Sequence, residues 1–394
     1  MIDILKSSVK TILRKMGINR IPLIHKRDPI FIKNVFNSNS YKKALLSYIP
    51  TSFVDDNRNI KQHTNIYTSY LLGEILHELG YKVDVINWTK NFEGNYHEYD
   101  VVFGLGASLD DAFKVKLPSQ KIIFFATGCN PFYCNQVTVK RVIDFHKRHG
   151  RYLIDSSRFV YNDWPFQHEA ADWIIVHGES FATATYRNFN ISSTKGPVFI
   201  KDIQNKKQYN WKHKSKHYLW FGSSGAIHKG LDLVLDAFQS LSDESIHLHI
   251  CGAIFYETEF YEYYQPILTS RYVTYHGHVN IDSDTFDSIM ETCGFVILPS
   301  ASEGNSPSVI TCMANGGLIP IVTESADVDI TDFGIEIKAL TVDAVIDAVK
   351  KSRSLSLEEL EVQSSKIINY SKANHTFDVF KENIKTQLED VLRQ

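Results

Sequence analysis

Two glycine-containing loops carry the side chains of this sequence that are best suited to chemistry on a phosphorylated ligand. The first loop runs from Phe221 to Leu231 and contains Gly222, Gly225 and Lys229. Its glycines permit close approach of the backbone to a ligand, and its lysine can neutralise phosphate charge as a leaving group departs. Because glycine-rich turns after strands are common, this loop alone is a weak indication of such a site.

The second loop precedes a helix start that suits a bound anion. Ser306 is predicted to be the N-cap and Pro307 the first helical residue. A helix start presents unpaired amides and the positive end of the helix dipole, which favour a diphosphate. Glu303 in the same loop cannot bind phosphate, so we expect its carboxylate to accept hydrogen bonds from hydroxyl groups, as on a sugar. A solvated loop acid or a charge at the helix start is the alternative.

The pattern around these loops predicts parallel sheets with crossover helices, because short apolar runs alternate with helical patterns from Lys42 onward. In the first half, strands are predicted over residues 44–49, 83–87, 101–104, 122–126, 174–177 and 198–200. Helices are predicted there over 64–79, 137–149 and 181–189. In the second half, strands are predicted over 218–221, 247–251, 273–276, 295–298 and 318–322, and helices over 231–240, 285–292 and 308–315.

These elements indicate an α/β protein with two doubly wound, Rossmann-like domains that face a central cleft. A stretch with six lysines, residues 201–216, separates the two series and is interpreted as the interdomain linker. The predicted divisions are a segment over 1–40, a first domain over 41–205, a linker over 206–216, a second domain over 217–372 and a helix over 373–394. We expect that last helix to cross back to the first domain.

The composition argues against several classes of protein. Lys and Arg number 42 against 45 Asp and Glu, so the chain lacks the basic surplus typical of nucleic-acid binding. The five cysteines have no paired spacing, which predicts neither a disulfide framework nor a zinc site and favours the cytoplasm. Because no run of about 18 apolar residues and no signal-peptide pattern occurs, we expect no membrane crossing.

Residues 1–27 differ from the rest of the sequence because cations outnumber acids there. Apolar residues recur at helical spacing between Ile2 and Met16, flanked by Lys and Arg. Such a basic amphipathic pattern is typical of helices that lie on anionic lipid headgroups. A helix packed on its own domain is the alternative. A peripheral location on the inner face of the cell membrane is therefore one expectation, and flotation with liposomes, against a chain that starts at Tyr41, distinguishes the two.

Short segments between about residues 217 and 325 together form a recognisable set. They are Phe221–Gly222, Lys229–Asp232, Ile250–Gly252, Tyr275–Val279, Pro299–Gly304, Met313–Gly316 and Ile319–Val322. In these segments the C-terminal half resembles the retaining glycosyltransferases of family 4, which have the GT-B fold. The N-terminal half matches that family only in its Rossmann-like pattern.

The resemblance implies transfer of a hexose from a nucleotide diphosphate sugar to a hydroxyl of a surface-glycan or lipid-linked acceptor, with retention of configuration. It implies that Lys229 contacts the diphosphate, that Glu303 contacts the donor sugar and that the backbone from Gly304 to Ser306 cradles phosphate. The donor-binding set is Gly222, Ser223, Ser224, Gly225, Lys229, Gly277, His278, Val279, Glu303, Gly304, Asn305, Ser306 and Thr311.

Two positions depart from the family pattern. The second glutamate, which holds the nucleotide ribose, is replaced by Thr311, a weaker hydrogen-bonding partner than a carboxylate. The arginine that follows the strand-end glycine has no match, since Ser223 and Ser224 follow Gly222. These departures leave open a non-catalytic nucleotide-sugar-binding subunit, and the fold also hosts nucleotide-sugar 2-epimerases.

The N-terminal half is expected to supply groups on the sugar and acceptor side. His177 is the candidate for a catalytic contact, and Asn130 and His63 are candidates for acceptor contacts. Each has a purely structural alternative, such as capping an element. Asp284, Asp287, Asp327 and Asp329 are interpreted as helix-start or loop acids, so no metal or other cofactor is predicted. Alanine at Glu303 or Lys229 is expected to reduce turnover by orders of magnitude with little change in melting temperature.

Overall fold

The computed structural model describes residues 30–54, 64–162, 164–186, 190–201 and 210–393. Within these ranges the chain forms two mostly parallel sheets with helices on their faces, which confirms the prediction of two Rossmann-like domains. The predictions for the basic segment 1–27 and for His63 lie outside the described residues. No helix in the described ranges is long and apolar enough to cross a membrane.

The N-terminal sheet has the strand order β1-β3-β2-β4-β5-β6-β7, and β1 is antiparallel to β3 while the other pairs are parallel. Its strands are β1 (Phe31–Ile32), β2 (Lys43–Tyr48), β3 (Lys82–Asn87), β4 (Val101–Gly104), β5 (Lys121–Ala126), β6 (Trp173–His177) and β7 (Ile191–Thr194). Its helices are α1 (Thr64–Glu78), α2 (Ala107–Ala112), α3 (Pro131–His149), α4 (Pro165–Ala170) and α5 (Ser180–Ala184).

The C-terminal sheet has the order β10-β9-β8-β11-β12-β13, which is the strand order 3-2-1-4-5-6 of dinucleotide-binding domains and reverses between β8 and β11. Its strands are β8 (His217–Phe221), β9 (His247–Cys251), β10 (Val273–Gly277), β11 (Phe295–Leu298), β12 (Ile319–Val322) and β13 (Ile335–Glu336). The helices from here on are α6 (Trp211–Lys214), α7 (Leu231–Leu241), α8 (Thr258–Leu268), α9 (Asp284–Thr292), α10 (Pro307–Gly316), α11 (Val342–Arg353), α12 (Leu357–Asn374) and α13 (Phe377–Arg393).

The central strands form because their residues are apolar on both faces. All four residues of β11 and all four of β12 are buried, as expected of parallel strands covered by helices on each side. The helix ends have local causes as well. Ser356 and Glu359 form a capping box at the start of α12, and Gly150 ends α3 in the left-handed conformation.

The strand predicted over residues 198–200 is wrong. The last strand of the N-terminal sheet is instead β7, whose Ile-Ser-Ser-Thr sequence has a single apolar residue. Val198 lies in the passage between the domains, where its amide donates to the carbonyl of His375 at 3.0 Å. The apolar character of this segment therefore reflects interdomain packing.

The lysine-rich stretch is only partly a linker. Trp211 and Lys214 of α6 are buried against the C-terminal domain, and the Lys214 ammonium donates to the carbonyl of Met290 at 2.6 Å. Burial lowers the pKa of Lys214 to about 8. Helix α8 was missed because it contains Pro266 and because two of its four buried residues, Phe260 and Tyr264, are aromatic.

The two domains share a large interface on which helix α3 packs against the C-terminal core. Val142 and Phe145 of α3 belong to the apolar cluster of the C-terminal sheet and its helices. Arg141, which is 2% exposed, donates to both carboxylate oxygens of the fully buried Asp232 at 2.8 Å. Helix α13 makes the reciprocal contact, since Phe380 and Ile384 pack in the core of the N-terminal domain.

A row of histidines crosses one face of the C-terminal sheet. His217 Nδ1 lies 3.0 Å from His249 Nε2, and His249 Nδ1 lies 3.0 Å from His276 Nε2. His247 and His213 complete the row, packed beside these rings. Burial, together with the neighbouring histidines, lowers the pKa of His217 to about 4 and that of His249 to about 3.

Acid is therefore expected to destabilise the protein. A histidine whose pKa is lowered by folding contributes stability above its unfolded value of about 6.5, and this contribution is lost as the pH falls from there. We expect a lower melting temperature at pH 5 than at pH 7. In this pH range the unfolding free energy of His249→Gln should change with pH less steeply than that of the wild type, by about 1 kcal/mol per pH unit. Equal melting temperatures at both pH values would contradict the histidine geometry.

Candidate active site

A cavity of about 660 Å³ opens between the domains at the carboxyl ends of both sheets. From the N-terminal domain, Tyr48 is the last residue of β2, Leu105 follows β4 and Thr127 follows β5. The C-terminal domain lines it with His228, Ser302, Glu303, Gly304 and Pro307. These residues belong to the loops after β8 and β11, which flank the reversal of strand order. Ligands of doubly wound domains bind at this position.

A second cavity of about 740 Å³ lies beside β1 and the amino ends of β2 and β3. Its charged lining includes Lys33, Lys43, Lys82 and Glu98. Because it lies away from the carboxyl ends of the parallel strands, we assign the candidate active site to the interdomain cavity.

Glu303 is the centre of a buried charge cluster at the base of the interdomain cavity. Its Oε1 forms an ion pair with the ammonium of Lys229, and both side chains are 5% exposed. Its Oε2 lies 3.3 Å from the guanidinium of Arg158, and the Ser300 hydroxyl donates to Oε1 at 2.9 Å. The two predicted loops therefore meet, and Glu303 has two cationic partners that its own loop does not contain.

The charges of this cluster depend on one another. Burial alone would raise the pKa of Glu303, but the charges of Lys229 and Arg158 more than offset it and bring the pKa to about 2. Burial lowers the pKa of Lys229, and the carboxylate opposes that shift. Burial also lowers the pKa of His228 to about 4, so its imidazole is neutral at pH 7. The cluster is an ionised Lys–Glu pair with a second cation at its edge.

Arg158 is the functional candidate that the sequence analysis missed. The arginine expected after Gly222 is absent from that loop, but Arg158 reaches the same place from the N-terminal domain, where its Cβ lies near Gly225. Its side chain is 48% exposed, in contrast to buried Lys229. Nothing in the local sequence around Arg158 indicates this role, since its partner Glu303 is 145 residues away.

The glycine-rich loop divides into an open part and an occupied part. Ser223 and Ser224 are exposed and face no described partner. The amides of Gly225 and Ala226, in contrast, donate to the carboxylate of buried Glu257 at 2.6 and 3.0 Å. Part of the backbone predicted to approach a phosphate therefore already holds an anionic group from the chain itself.

The backbone from Gly304 to Ser306 was expected to cradle phosphate, but two of its amides have protein partners. The Asn305 amide donates to Asp327 at 3.2 Å, and the Ser306 amide donates to the carbonyl of Ala326 at 3.1 Å. Gly304 approaches the backbone of Gly128 so closely that a Cβ on Gly304 would lie 2.4 Å from the Gly128 Cα. Helix α10 begins at Pro307 as predicted, and the amides of its first turn lack intrahelical partners.

Asp327, interpreted from the sequence as an ordinary helix-start or loop acid, caps a helix start of the other domain. Its carboxylate accepts hydrogen bonds from the amides of Glu179, Phe181 and Ala182 at 2.6, 3.1 and 3.3 Å, which caps helix α5 of the other domain. The Asn305 side chain extends the same contact, because its amide donates to Glu179 at 3.0 Å and accepts from the Gly196 amide at 2.7 Å. Asn305 thus joins the domains.

The N-terminal candidates have different surroundings. His177 lines the interdomain cavity beside Gly304, and burial lowers its pKa to about 4. Asn130 does not line this cavity; its side-chain oxygen accepts from the Phe132 amide at 2.9 Å and caps α3.

The remaining donor-side candidates lie outside the cavity lining. Thr311 donates its hydroxyl to the Pro307 carbonyl at 2.7 Å within α10. Gly277 and Val279 lie at the end of β10, and His278 between them is exposed. Among the described residues, no group of three His, Cys, Asp or Glu side chains could hold a metal ion. Metal independence stays a prediction.

Residues 215–351 match the family model described as Glycosyl transferases group 1. A comparison with curated proteins gives no significant match. Three solved structures share the overall fold at 12% sequence identity. Sucrose-phosphate synthase from Thermosynechococcus elongatus has a TM-score of 0.59 over 89% of this chain and 99% of that chain.

A glycosyltransferase from Rickettsia africae has a TM-score of 0.56 over 90% of this chain and 99% of its own. HepE from Anabaena, solved with UDP and glucose, has a TM-score of 0.54 over 89% of this chain and 99% of its own. The group 1 match in the C-terminal domain and the shared two-domain architecture support a glycosyltransferase enzyme with the GT-B fold.

Proposed function

We propose that this protein transfers a hexose from a nucleotide diphosphate sugar to an acceptor hydroxyl, with retention of the anomeric configuration. The observation that carries the proposal is the Lys229–Glu303–Arg158 cluster at the strand-order reversal of the C-terminal domain. The group 1 match spans both loops that supply Lys229 and Glu303. Retention follows from the resemblance of these loops to the retaining family.

In this proposal the main work of the site is stabilisation of the departing diphosphate. Helix α10 directs its first-turn amides and its positive dipole end toward the cleft. Arg158 is half exposed and can turn from Glu303 toward an entering phosphate, while Lys229 adds a fixed positive charge beside it. These groups offset the charge that develops on the leaving group, without a metal ion.

Glu303 then holds the sugar rather than the phosphate. Its carboxylate stays ionised because of its two cationic partners, so it accepts hydrogen bonds from donor hydroxyls. His177 lines the same cavity as a neutral imidazole. Its Nε2 is buried beside Gly196, so the proposed contact with the sugar falls to the rest of the ring. Thr311 replaces a carboxylate, and because its hydroxyl donates within α10, it would hold the nucleotide more weakly.

The acceptor enters from the N-terminal domain, which forms most of the cavity wall. A glycan or a lipid-linked precursor fits the resemblance, and the basic segment 1–27 would bring the protein to an anionic membrane surface from the cytoplasmic side. Flotation with liposomes tests that part separately from the chemistry.

The proposed function predicts that one series of sugar nucleotides stabilises the protein and is turned over by it. Purified protein is mixed with UDP-, GDP-, dTDP- or CDP-linked hexoses, and melting temperature and nucleotide release are measured with and without EDTA. We expect one series to raise the melting temperature and to be hydrolysed or transferred equally well in EDTA. Loss of release in EDTA would overturn the metal-independent site, and no stabilisation by any series would overturn the donor class.

The alternative of a non-catalytic subunit is favoured by the Thr311 hydroxyl, which is engaged within its own helix. That alternative predicts stabilisation by a sugar nucleotide without release of nucleotide. An epimerase predicts a changed sugar still attached to the nucleotide, so analysis of the product separates the three activities.

A further inference from the structure

The acceptor side of the interdomain cavity is lined largely by aromatic rings. The lining from the N-terminal domain includes Tyr48, Trp88, Phe124, Phe159, Tyr161, Trp164 and Tyr186. Resting on the proposed function, we propose that Trp88 and Trp164 form a stacking platform for an uncharged sugar ring of the acceptor. The acceptor therefore presents a neutral glycoside, rather than a sugar phosphate, to the site.

The two indoles form a corner of the cavity. Their ring centroids are 5.7 Å apart and their planes are inclined by 80°, so the edge of one ring meets the face of the other. Both side chains are half-buried, which leaves part of each ring open to the cavity. An aromatic face is negative, and it attracts the weakly positive C–H groups on one side of a pyranose ring.

The loop that follows β4 contacts the backbone of Trp88 and the helix that follows Trp164. The Ala107 amide donates to the Trp88 carbonyl at 2.9 Å, and a Cβ on Gly106 would lie 2.1 Å from that carbonyl, so glycine is required there. The Gly106 amide donates to the side chain of Gln167, at 2.8 Å, in the helix that starts directly after Trp164. The platform is therefore positioned before a ligand arrives.

The backbone of Trp164 is strained. Its φ of 42° and ψ of 73° lie in the left-handed region, which a residue with a large side chain rarely adopts. Such strain persists where the surrounding structure enforces it, and it is concentrated at functional sites. Helix α4 starts at the next residue, Pro165, so this strained residue joins the cavity wall directly to a helix.

The described lining has no cation to spare for a phosphate on the acceptor. Its side chains charged at pH 7, other than histidine, are Arg158 and Glu303, and the proposed function already assigns Arg158 to the donor diphosphate. A phosphate group on the acceptor would need additional Arg or Lys partners. Polar neighbours such as Asn65, Asn162 and Gln167 suit hydroxyl groups instead.

The test compares matched acceptors and matched variants. With the donor that the wild-type protein uses, release of nucleotide is measured with methyl glucoside and maltose against glucose 1-phosphate and glucose 6-phosphate. We expect only the neutral sugars to accelerate release above hydrolysis, and Trp88→Ala and Trp164→Ala to raise the KM for these sugars by about tenfold. Trp88→Phe should keep most of the acceleration by neutral sugars, because an aromatic ring remains at this position. Trp173→Phe is the control, because Trp173 lies outside the cavity lining.

A binding measurement separates this proposal from the proposed function. Titration of intrinsic tryptophan fluorescence with maltose needs no donor and no turnover. Quenching by maltose in the wild type that is lost in Trp164→Phe would support the platform. If the wild type also released no nucleotide from any donor, the same result would contradict the transferase. Two results would overturn the platform and leave the transferase standing. One is nucleotide release that only the sugar phosphates accelerate, and the other is an unchanged KM for the neutral sugars in both alanine variants.

Discussion

Glu303→Gln is expected to lower kcat/KM for sugar transfer by about 10²–10³-fold, the usual effect of removing one charge-stabilising group from an active site. The amide keeps the shape of the side chain, but it has one accepting oxygen where the carboxylate has two. It also carries no charge to pair with Lys229 and Arg158. Lys229 and the donor sugar then lose their common partner. Initial rates of nucleotide release with saturating acceptor measure the change.

The same substitution is also expected to destabilise the protein, which corrects the expectation of an unchanged melting temperature. Lys229 is 4% exposed, and removal of its carboxylate leaves a buried cation without a partner. Breaking such a pair costs about 3–5 kcal/mol, whereas replacing both members by apolar side chains is often neutral. Lys229→Met combined with Glu303→Leu is therefore expected to restore the urea midpoint without restoring activity.

This double variant is the control that separates chemistry from folding. Arg158 is half exposed and stays hydrated when its partner is gone, so it adds no second buried charge. If the double variant were both stable and active, Glu303 would have no role in catalysis. If Glu303→Gln kept the wild-type rate at a temperature where it is folded, the assignment of the site would be wrong.

Asp232→Asn is expected to cause the largest loss of stability outside the active site, about 3–5 kcal/mol of unfolding free energy. Asp232 is fully buried, and it accepts two hydrogen bonds from Arg141 across the domain interface and pairs with Arg148. The Nε and Nη1 atoms of Arg141 have no hydrogen-bond partner among the described residues, so Asp232 is the main compensation for that buried charge. Urea unfolding followed by circular dichroism measures the loss.

Asp243→Asn is the matched control for this prediction. Asp243 pairs with Arg353 at 2.6 Å, but these side chains are 28% and 40% exposed. An ion pair of this kind contributes at most about 1 kcal/mol. Equal small effects of both substitutions would contradict a tight contact between α3 and the C-terminal domain and would imply that the two domains separate readily.

Local patterns were sufficient to predict most of the fold. Strands such as β4 and β11 are short apolar runs bounded by turn residues, and their predicted ends coincide with the structure. Prediction failed where tertiary context decides the outcome. Val198 is apolar because it packs between domains, and Trp211 is buried although it lies in a lysine-rich stretch.

Only the part of the candidate site that lies in continuous loop sequences could be predicted. Lys229 and Glu303 stand in recognisable loops, but Arg158 and Asp327 act on residues of the other domain, and no local pattern records such a contact. The same holds for the Trp88–Trp164 corner, whose members are joined through the loop after β4. Contacts between domains depend on how the two sheets are docked, which short-range periodicity does not encode.

The most direct measurement is proton NMR of a reaction that contains the protein, the stabilising sugar nucleotide and a neutral glycoside acceptor. The spectrum reports the anomeric proton of the donor, of any new glycoside and of any isomerised sugar nucleotide. We predict free nucleotide together with a new glycosidic signal that has the donor's anomeric configuration, absent when Glu303→Gln replaces the wild type. An unchanged donor, or a donor epimerised while still attached to its nucleotide, would contradict glycosyl transfer.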